Sequence, residues 1–379
     1  MSMKIHILTA CFYPELHPRA FRAFELAREF VRQGDEVHVS VLTKVEGVDY
    51  HAMQQEYGFH IHIIELYTRQ LGQTAQTGLS LTSVNPVKQK FYAIYRWLLE
   101  YLLAGNLFRY APKIAKHLTI AQDTDLFISL STPFMDIYAG ALYRQKHHLP
   151  NTLFIADSGD PFSGSQQTKR AIYMRWLEKW VYRFYDFLTI PTEGAIPAYN
   201  KVIEREKIRI IPQGFDFRAT PIQEYKKNAV PTFAYAGVFY KDIRNPEFLL
   251  HYLAEQRTDF RFYIYLRHQD AVTETILNRY RPVLSERLIV KYGIERKQLI
   301  SELSTYDFLV NVGNNNSTQL PSKLIDYGIS RRPVFHCTAN HFDKKMWEEF
   351  IQGDFHHAQE IDIAPYAIEA IVKQLKALR

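Results

Sequence analysis

The sequence predicts an α/β protein built from two doubly wound domains, each a parallel sheet with helices on both faces. Three observations carry that expectation. Short β-branched apolar runs alternate with amphipathic helical segments almost from end to end. The alternation lapses over residues 214–231, which are polar and without periodicity, and then restarts. At 379 residues the chain also exceeds what one hydrophobic core usually organises.

Taken in order, residues 4–9 read as a first buried strand. Residues 19–33 read as a helix with Phe21, Phe24, Leu26, Ala27 and Phe30 on its apolar side, closed by Gly34 as a left-handed cap. Further strands are expected at 36–42, 60–66, 125–130, 152–156, 187–191 and 208–211. The second domain supplies strands at 232–238, 261–266, 288–292, 308–312 and 333–336, and a final helix spans 364–378. The expected division is 1–205, 206–362 and a C-terminal helix, 363–379, returning towards the first domain.

Two segments break the regularity. Residues 69–87 are rich in Gln, Thr, Ser and Gly, and are long for a connection inside a compact domain, as functional lids and disordered tips are. In 169–188, Arg175, Lys179 and Arg183 recur at helical spacing, with Tyr173, Trp176, Trp180 and Phe184 along another stripe. This reads as an amphipathic helix that either packs on the sheet or docks on a membrane surface. The aromatic, basic stretch 88–110 is open to the same two readings.

Composition narrows the class. The net charge of +6 is modest and spread along the chain; it suits phosphate-bearing ligands or an anionic membrane, and no nucleic-acid partner is expected. The two cysteines, Cys11 and Cys337, provide neither a disulfide framework nor a metal cluster. The first ten residues enter a strand pattern with no signal-peptide features, and no run of 18 apolar residues occurs. A cytoplasmic protein is expected, at most touching the inner face of a membrane.

The most informative stretch is 319–328, Gln-Leu-Pro-Ser-Lys-Leu-Ile-Asp-Tyr-Gly, which follows the strand ending near Val312. Pro321 suits a first helical position. The N–H groups of Ser322 and Lys323 would then point out of the helix with its positive end behind them, a site for a diphosphate. Asp326 lies three residues on and can face the same ligand, where a carboxylate accepts both hydroxyls of a ribose. In the first domain, Asp157 and Asp160 follow a strand and are placed to orient an acceptor hydroxyl or take its proton. Arg19 and Arg22 stand in the first turn of a helix, unfavourable for a cation unless an anion such as a phosphate lies opposite. His17 is the titrating group of that loop. The remaining histidines read as structural.

Four motifs in order resemble family 4 glycosyltransferases. These are Phe12-Tyr-Pro-Glu15 with the later Gly34-Asp-Glu-Val37, then Ile211-Pro-Gln-Gly-Phe-Asp216, then Tyr235-Ala-Gly-Val-Phe239 with Ile243-Arg-Asn-Pro246, and finally Pro321-Ser-Lys-Leu-Ile-Asp-Tyr-Gly328 with Arg332-Pro-Val334. The resemblance spans the chain and implies the GT-B fold, with two Rossmann-like domains facing an interdomain cleft. It implies that Ser322, Lys323 and Arg244, or less so Lys241, hold the donor diphosphate, with Arg267 near by, and that Asp326 holds the ribose. Thr318, where many members carry a glutamate, would meet the donor sugar together with Gln319 and Leu320. The implied reaction is sugar transfer with retention, Asp160, Arg244 and Lys323 acting in catalysis and His17, Arg19, Thr132, Asp157 and Asp160 on the acceptor side. No cofactor or obligatory metal is implied. The acceptor would be a glycan or lipid-linked glycan, in surface polysaccharide, capsule or lipopolysaccharide assembly. Two rival readings are a non-catalytic two-lobed sugar-binding protein and an epimerase or hydrolase of the same fold. A dinucleotide-dependent dehydrogenase is disfavoured, since no Gly-x-Gly-x-x-Gly follows either first strand.

Overall fold

The computed structural model describes residues 2–15, 17–70, 86–165, 168–237, 239, 245–267, 269–313 and 322–379. They form two compact units, Met1–Phe215 with Tyr366–Arg379, and Asp216–Pro365. In the first, the chain runs β1 (Lys4–Thr9), α1 (Pro18–Arg32), β2 (Glu36–Glu46), α2 (Tyr50–Tyr57), β3 (His60–Gln70), α3 (Pro86–Leu103) and α4 (Leu107–His117). It continues through β4 (Leu126–Ser131), α5 (Met135–Lys146), β5 (Leu153–Ser158), α6 (Tyr173–Tyr182), β6 (Phe187–Ile190), α7 (Ile196–Tyr199) and β7 (Ile208–Ile210). The second unit holds β8 (Thr232–Ala236), α8 (Glu247–Glu255), β9 (Arg261–Leu266), α9 (Ala271–Leu284), β10 (Leu288–Tyr292) and α10 (Arg296–Leu303). It closes with β11 (Phe308–Val312), α11 (Ser322–Ser330), β12 (Val334–Cys337) and α12 (Lys344–Gln352), before α13 (Ile368–Lys376) rejoins the first unit.

Both sheets are parallel. Their orders are β3-β2-β1-β4-β5-β6-β7 and β10-β9-β8-β11-β12. Each therefore reverses its winding beside its first strand, between β1 and β4 and between β8 and β11. Crevices at the carboxyl ends of strands at such reversals are where open α/β sheets bind ligands.

The strands are apolar on both faces because both are covered. Ile5 and Ile7 pack with α1 and α13, while Leu8 and Ala10 pack in the cluster that includes Ile137 and Ala141 of α5. In the second unit Phe233 and Tyr235 enter one cluster and Ala234 and Ala236 the other. Much of the aromatic content resides here: the buried Trp347 ring meets Phe233, Phe308 and Phe335 nearly edge-on at 5.1, 5.6 and 5.0 Å. Helix α13 is held to the first unit by Ile368, Ile371, Val372 and Leu375 and by the Lys376–Asp35 ion pair.

Helix α1 starts where the sequence signals it. His17 Nδ1 accepts from the Arg19 N–H at 3.2 Å, Pro18 occupies the first turn, and Gly34 takes φ +84° beyond the last turn. Four elements differ in extent from expectation by four residues or more, one of them the final helix, which spans Ile368–Lys376 rather than 364–378. Strands β2 and β3 run on to Glu46 and Gln70, pairing with each other beyond a bulge near Thr43. The helix expected over 169–188 is confined to Tyr173–Tyr182, because the Asp186 N–H bonds the Phe154 carbonyl and its carboxylate grips Arg144, pulling the chain into β6. Within residues 69–87, 71–85 lie outside the described residues.

One sheet face carries an unexpected group. His6, His38 and His62 stack across β1, β2 and β3 and line a cavity of about 1010 Å³ with Lys113, Lys116 and His117. His6 is buried and bonds Ser40 at 2.9 Å; burial first, then the neighbouring His38 and His62, lower its pKa from 6.5 to about 3. The folded state thus holds His6 neutral where the unfolded chain would bind a proton. Its contribution is complete above pH 6.5 and is lost as pH falls from 6.5 towards 3, on the order of 1.4 kcal/mol per pH unit. Chemical denaturation at pH 7, 5.5 and 4.5 should show this loss, and His6→Asn should flatten it by about one proton's slope. An unchanged slope would place the acid sensitivity elsewhere.

Candidate functional site

In the second unit, Lys323 stands in the first turn of α11, over the reversal point of the sheet. Its Nζ donates to the carbonyl of Val312, the last residue of β11, at 3.1 Å, and lies 4.7 Å over the ring of Tyr235 near the end of β8. The lysine is thereby held at the carboxyl ends of the two strands between which the winding reverses. Tyr327, one turn on, fixes the helix there: its hydroxyl accepts from the Ala236 N–H at 2.7 Å and donates to the Val310 carbonyl at 3.1 Å. Gly313 follows β11 beneath His336, and any Cβ on it would come within 2.3 Å of the imidazole. Burial, with the charge of Lys323, lowers the pKa of His336. The combination is a lysine, an aromatic ring, an imidazole and a helix start gathered at one strand edge, a set suited to a phosphate-bearing ligand.

Asp326 lies on the same helix but is gripped from α10. Arg296 donates to Asp326 Oδ1 from Nε at 3.0 Å and from Nη2 at 2.5 Å. Burial raises this carboxyl's pKa, partly offset by Arg296. Both bonds fall on one oxygen. Arg267 follows β9 and is exposed. Arg244, Lys241, Thr318, Gln319, Leu320 and Pro321 lie outside the described residues, as does the side chain of Ser322.

In the first unit, the corresponding reversal is bridged by Asp136. This residue, which sequence reasoning passed over, stands in the first turn of α5 and accepts the Ala10 N–H at 2.7 Å just after β1. It is fully buried, and that burial raises its pKa well above the ordinary carboxyl range. Only an acid in a helix's first turn marks it in sequence.

Arg19 and Arg22 correct an expectation. Their anion is internal: Asp157, 2% exposed, takes a bond from Arg19, bonds from Arg22 at 2.5, 2.9 and 3.1 Å, and one from Thr189 Oγ1 at 2.7 Å. Burial alone would raise the Asp157 carboxyl, but Arg22 and Arg19 outweigh it and hold it far below the usual range. Arg22 also donates to the Pro212 carbonyl at 2.7 Å. Neither Arg19 nor Asp157 is thus displayed to an acceptor as the sequence suggested; together they tie β5 to α1. Asp160 is different. It is exposed and accepts from Thr132 Oγ1 at 3.2 Å, while the Gly159 N–H bonds the Ser131 carbonyl at 3.2 Å. The acid, the hydroxyl and the loop thus meet at the carboxyl ends of β4 and β5. His17 caps α1 and lies 3.4 Å from the Cys11 sulfur.

No family model matches the chain, and no curated protein does. Solved structures do, over their full length. HepE of Anabaena, solved with UDP and glucose, matches at TM-score 0.51 and 11% identity, covering 99% of this chain and 98% of its own. A glycosyltransferase of Rickettsia africae matches at 0.56 and 10%, covering 100% and 98%. The lipopolysaccharide outer core galactosyltransferase WaaB matches at 0.55 and 10%, covering 99% of each chain.

The chain has the GT-B fold.

Within this GT-B chain, four of the described residues that the sequence singles out stand in two pairs. Lys323 and Asp326 share α11, and Thr132 and Asp160 share one loop edge. Tyr235 and His336 were missed as site residues. Tyr235 lay inside a quoted motif but only as a strand marker, and His336 ended a strand with no sign of its neighbour. A pairing across parallel strands leaves no local spacing to read.

Proposed function

We propose that this chain is a retaining glycosyltransferase that moves a sugar from a nucleoside diphosphate sugar to an acceptor hydroxyl. The observation that carries the reading is Lys323, fixed at the start of α11 over the junction of β8 and β11 in a GT-B chain. Departure of the diphosphate builds negative charge on its oxygens. A lysine and helix-start N–H groups placed in advance stabilise that charge without reorganising. Arg244 and Arg267 are assigned to the same diphosphate, Asp326 to the ribose, and Thr318, Gln319 and Leu320 to the donor sugar. Asp326 reaches the ribose by sharing its carboxylate with Arg296. Retention follows when the leaving phosphate takes the acceptor proton on the face it has left. The cations then do the work a metal would do, so none is assigned.

On the acceptor side, Asp160 with Thr132 orients the incoming hydroxyl, and His17 lines the same approach. The acceptor is a glycan or lipid-linked glycan in surface polysaccharide assembly, and the protein acts in the cytoplasm.

Because HepE was solved with UDP-glucose, UDP and its sugars head the panel of donors to be tried. Titration of UDP against UMP into the purified chain, followed by heat or melting, tests the reading. Selective diphosphate binding is expected, stabilising the fold by about 2.7 kcal/mol at a hundredfold excess over Kd. No binding by any nucleoside diphosphate at millimolar concentration (order of magnitude for weak sites) would remove the donor site. Release of free sugar from a bound donor without an acceptor would instead favour a hydrolase.

A further inference from the structure

Of the fifteen large hydrophobic side chains exposed among the described residues, ten fall in two short stretches, 94–108 and 172–176. On α3, Ile94, Trp97, Leu98 and Leu102 share one side at helical spacing, with Trp97 stacked on Tyr101 at 5.2 Å. On the start of α6, Ile172 and Trp176 are 72% and 69% exposed. The two stretches are neighbours: the Ala171 N–H donates to the Tyr101 carbonyl at 3.0 Å, and Arg170 pairs with Glu100 at 2.7 Å. Together they form one apolar, aromatic face. A soluble monomer rarely leaves so many large apolar groups side by side.

We propose that this face docks the protein on the surface of an anionic lipid membrane. Charge selects that occupant. Segments 86–110 and 168–183 contain nine Lys and Arg against two Glu, a net +7 in a chain whose total is +6. Of the two acids, Glu100 is paired with Arg170, and Glu178 is buried and bonded to the Ser163 N–H at 3.0 Å. A second copy of the chain fits poorly, since a two-fold interface sets each patch against itself and brings like charges together. Lipid headgroups supply the opposite charge, and Trp and Tyr favour the boundary between headgroup and hydrocarbon. No described helix is long and apolar enough to cross a membrane, so α3 and α6 lie along the surface. Met174 and Val181 are fully buried and anchor α6 from its inner side, while Trp176 stays mostly exposed. The inference is independent of the donor site.

The test is flotation of the purified full chain with vesicles of phosphatidylcholine, alone or mixed with phosphatidylglycerol. Binding to the anionic vesicles should exceed binding to the neutral ones roughly tenfold and weaken with salt. The pair Trp97→Ser and Trp176→Ser should lower it roughly tenfold, with the melting temperature retained. Arg175→Glu with Lys179→Glu should do the same through charge, which keeps the test open should the tryptophan pair fail to fold. The proposal is overturned if anionic vesicles capture no more protein than neutral ones, or if neither variant pair weakens capture. It is also overturned if sedimentation velocity without lipid shows a dimer that the tryptophan pair dissociates, which assigns the face to a second copy.

Discussion

Asp157→Ala is expected to destabilise the first unit by about 3–5 kcal/mol, because it leaves the guanidinium groups of Arg19 and Arg22 buried without their anion. Both arginines are under a tenth exposed, and Asp157 is nearly sealed from solvent. The loss is therefore not that of an exposed ion pair, which would cost well under about 1 kcal/mol. Chemical denaturation of the full chain measures it. Replacing Arg19 and Arg22 by Met in the Asp157→Ala background should recover part of the loss, since the uncompensated charges then go as well. The pH dependence has the same origin. Asp157 is depressed in the folded state, so its stabilisation is full above the unfolded carboxyl pKa of 3.8 and fades as pH falls below it. A loss under about 1 kcal/mol in Asp157→Ala would mean that water reaches the cluster.

Lys323→Ala should leave the fold intact and lower kcat/KM for sugar transfer by about 10²–10³-fold, the usual cost of removing one preorganised partner of a developing anion. Lys323 is only partly buried, and its bond to the Val312 carbonyl and contact over Tyr235 lie at the strand ends rather than in the core. A steady-state assay with the donor identified by titration checks this, with the melting temperature as the control for folding. Lys323→Arg should recover a part only, because a planar fork does not reproduce an ammonium point charge at that distance. Transfer within about threefold of wild type in Lys323→Ala would detach α11 from the diphosphate, since three-fold is under about 1 kcal/mol.

Most strands of this chain were legible because a parallel sheet covered on both faces demands predominantly apolar runs such as Ile5–Leu8 or Leu126–Leu130, each broken by one polar residue. Local chemistry also marked helix ends, as at Pro18 and Gly34. The C-terminal stretch from Ser322 to Gly328 announced a helix start with a lysine. In each case the responsible interactions lie within a few residues along the chain.

What the sequence by itself determined is thus the α/β alternation, the two-unit division and the helix that presents Lys323. Tertiary structure alone decided what each charged group meets. Arg19 and Arg22 signalled an anion correctly, yet the anion is Asp157, separated from Arg19 by 138 residues. Asp326 finds Arg296 from a neighbouring helix, Asp136 finds the Ala10 N–H across the reversal between β1 and β4, and His6 finds His38 and His62 across strands. Likewise, the stripe of aromatics in 173–184 divides: Trp180 turns inward against Tyr138 at 6.1 Å, while Trp176 faces out. Periodicity records that a side is apolar, but not whether protein or another phase will cover it. That depends on which elements the fold brings alongside, and burial then sets the charge state, since removing an ionisable group from water costs more than any local preference of the chain.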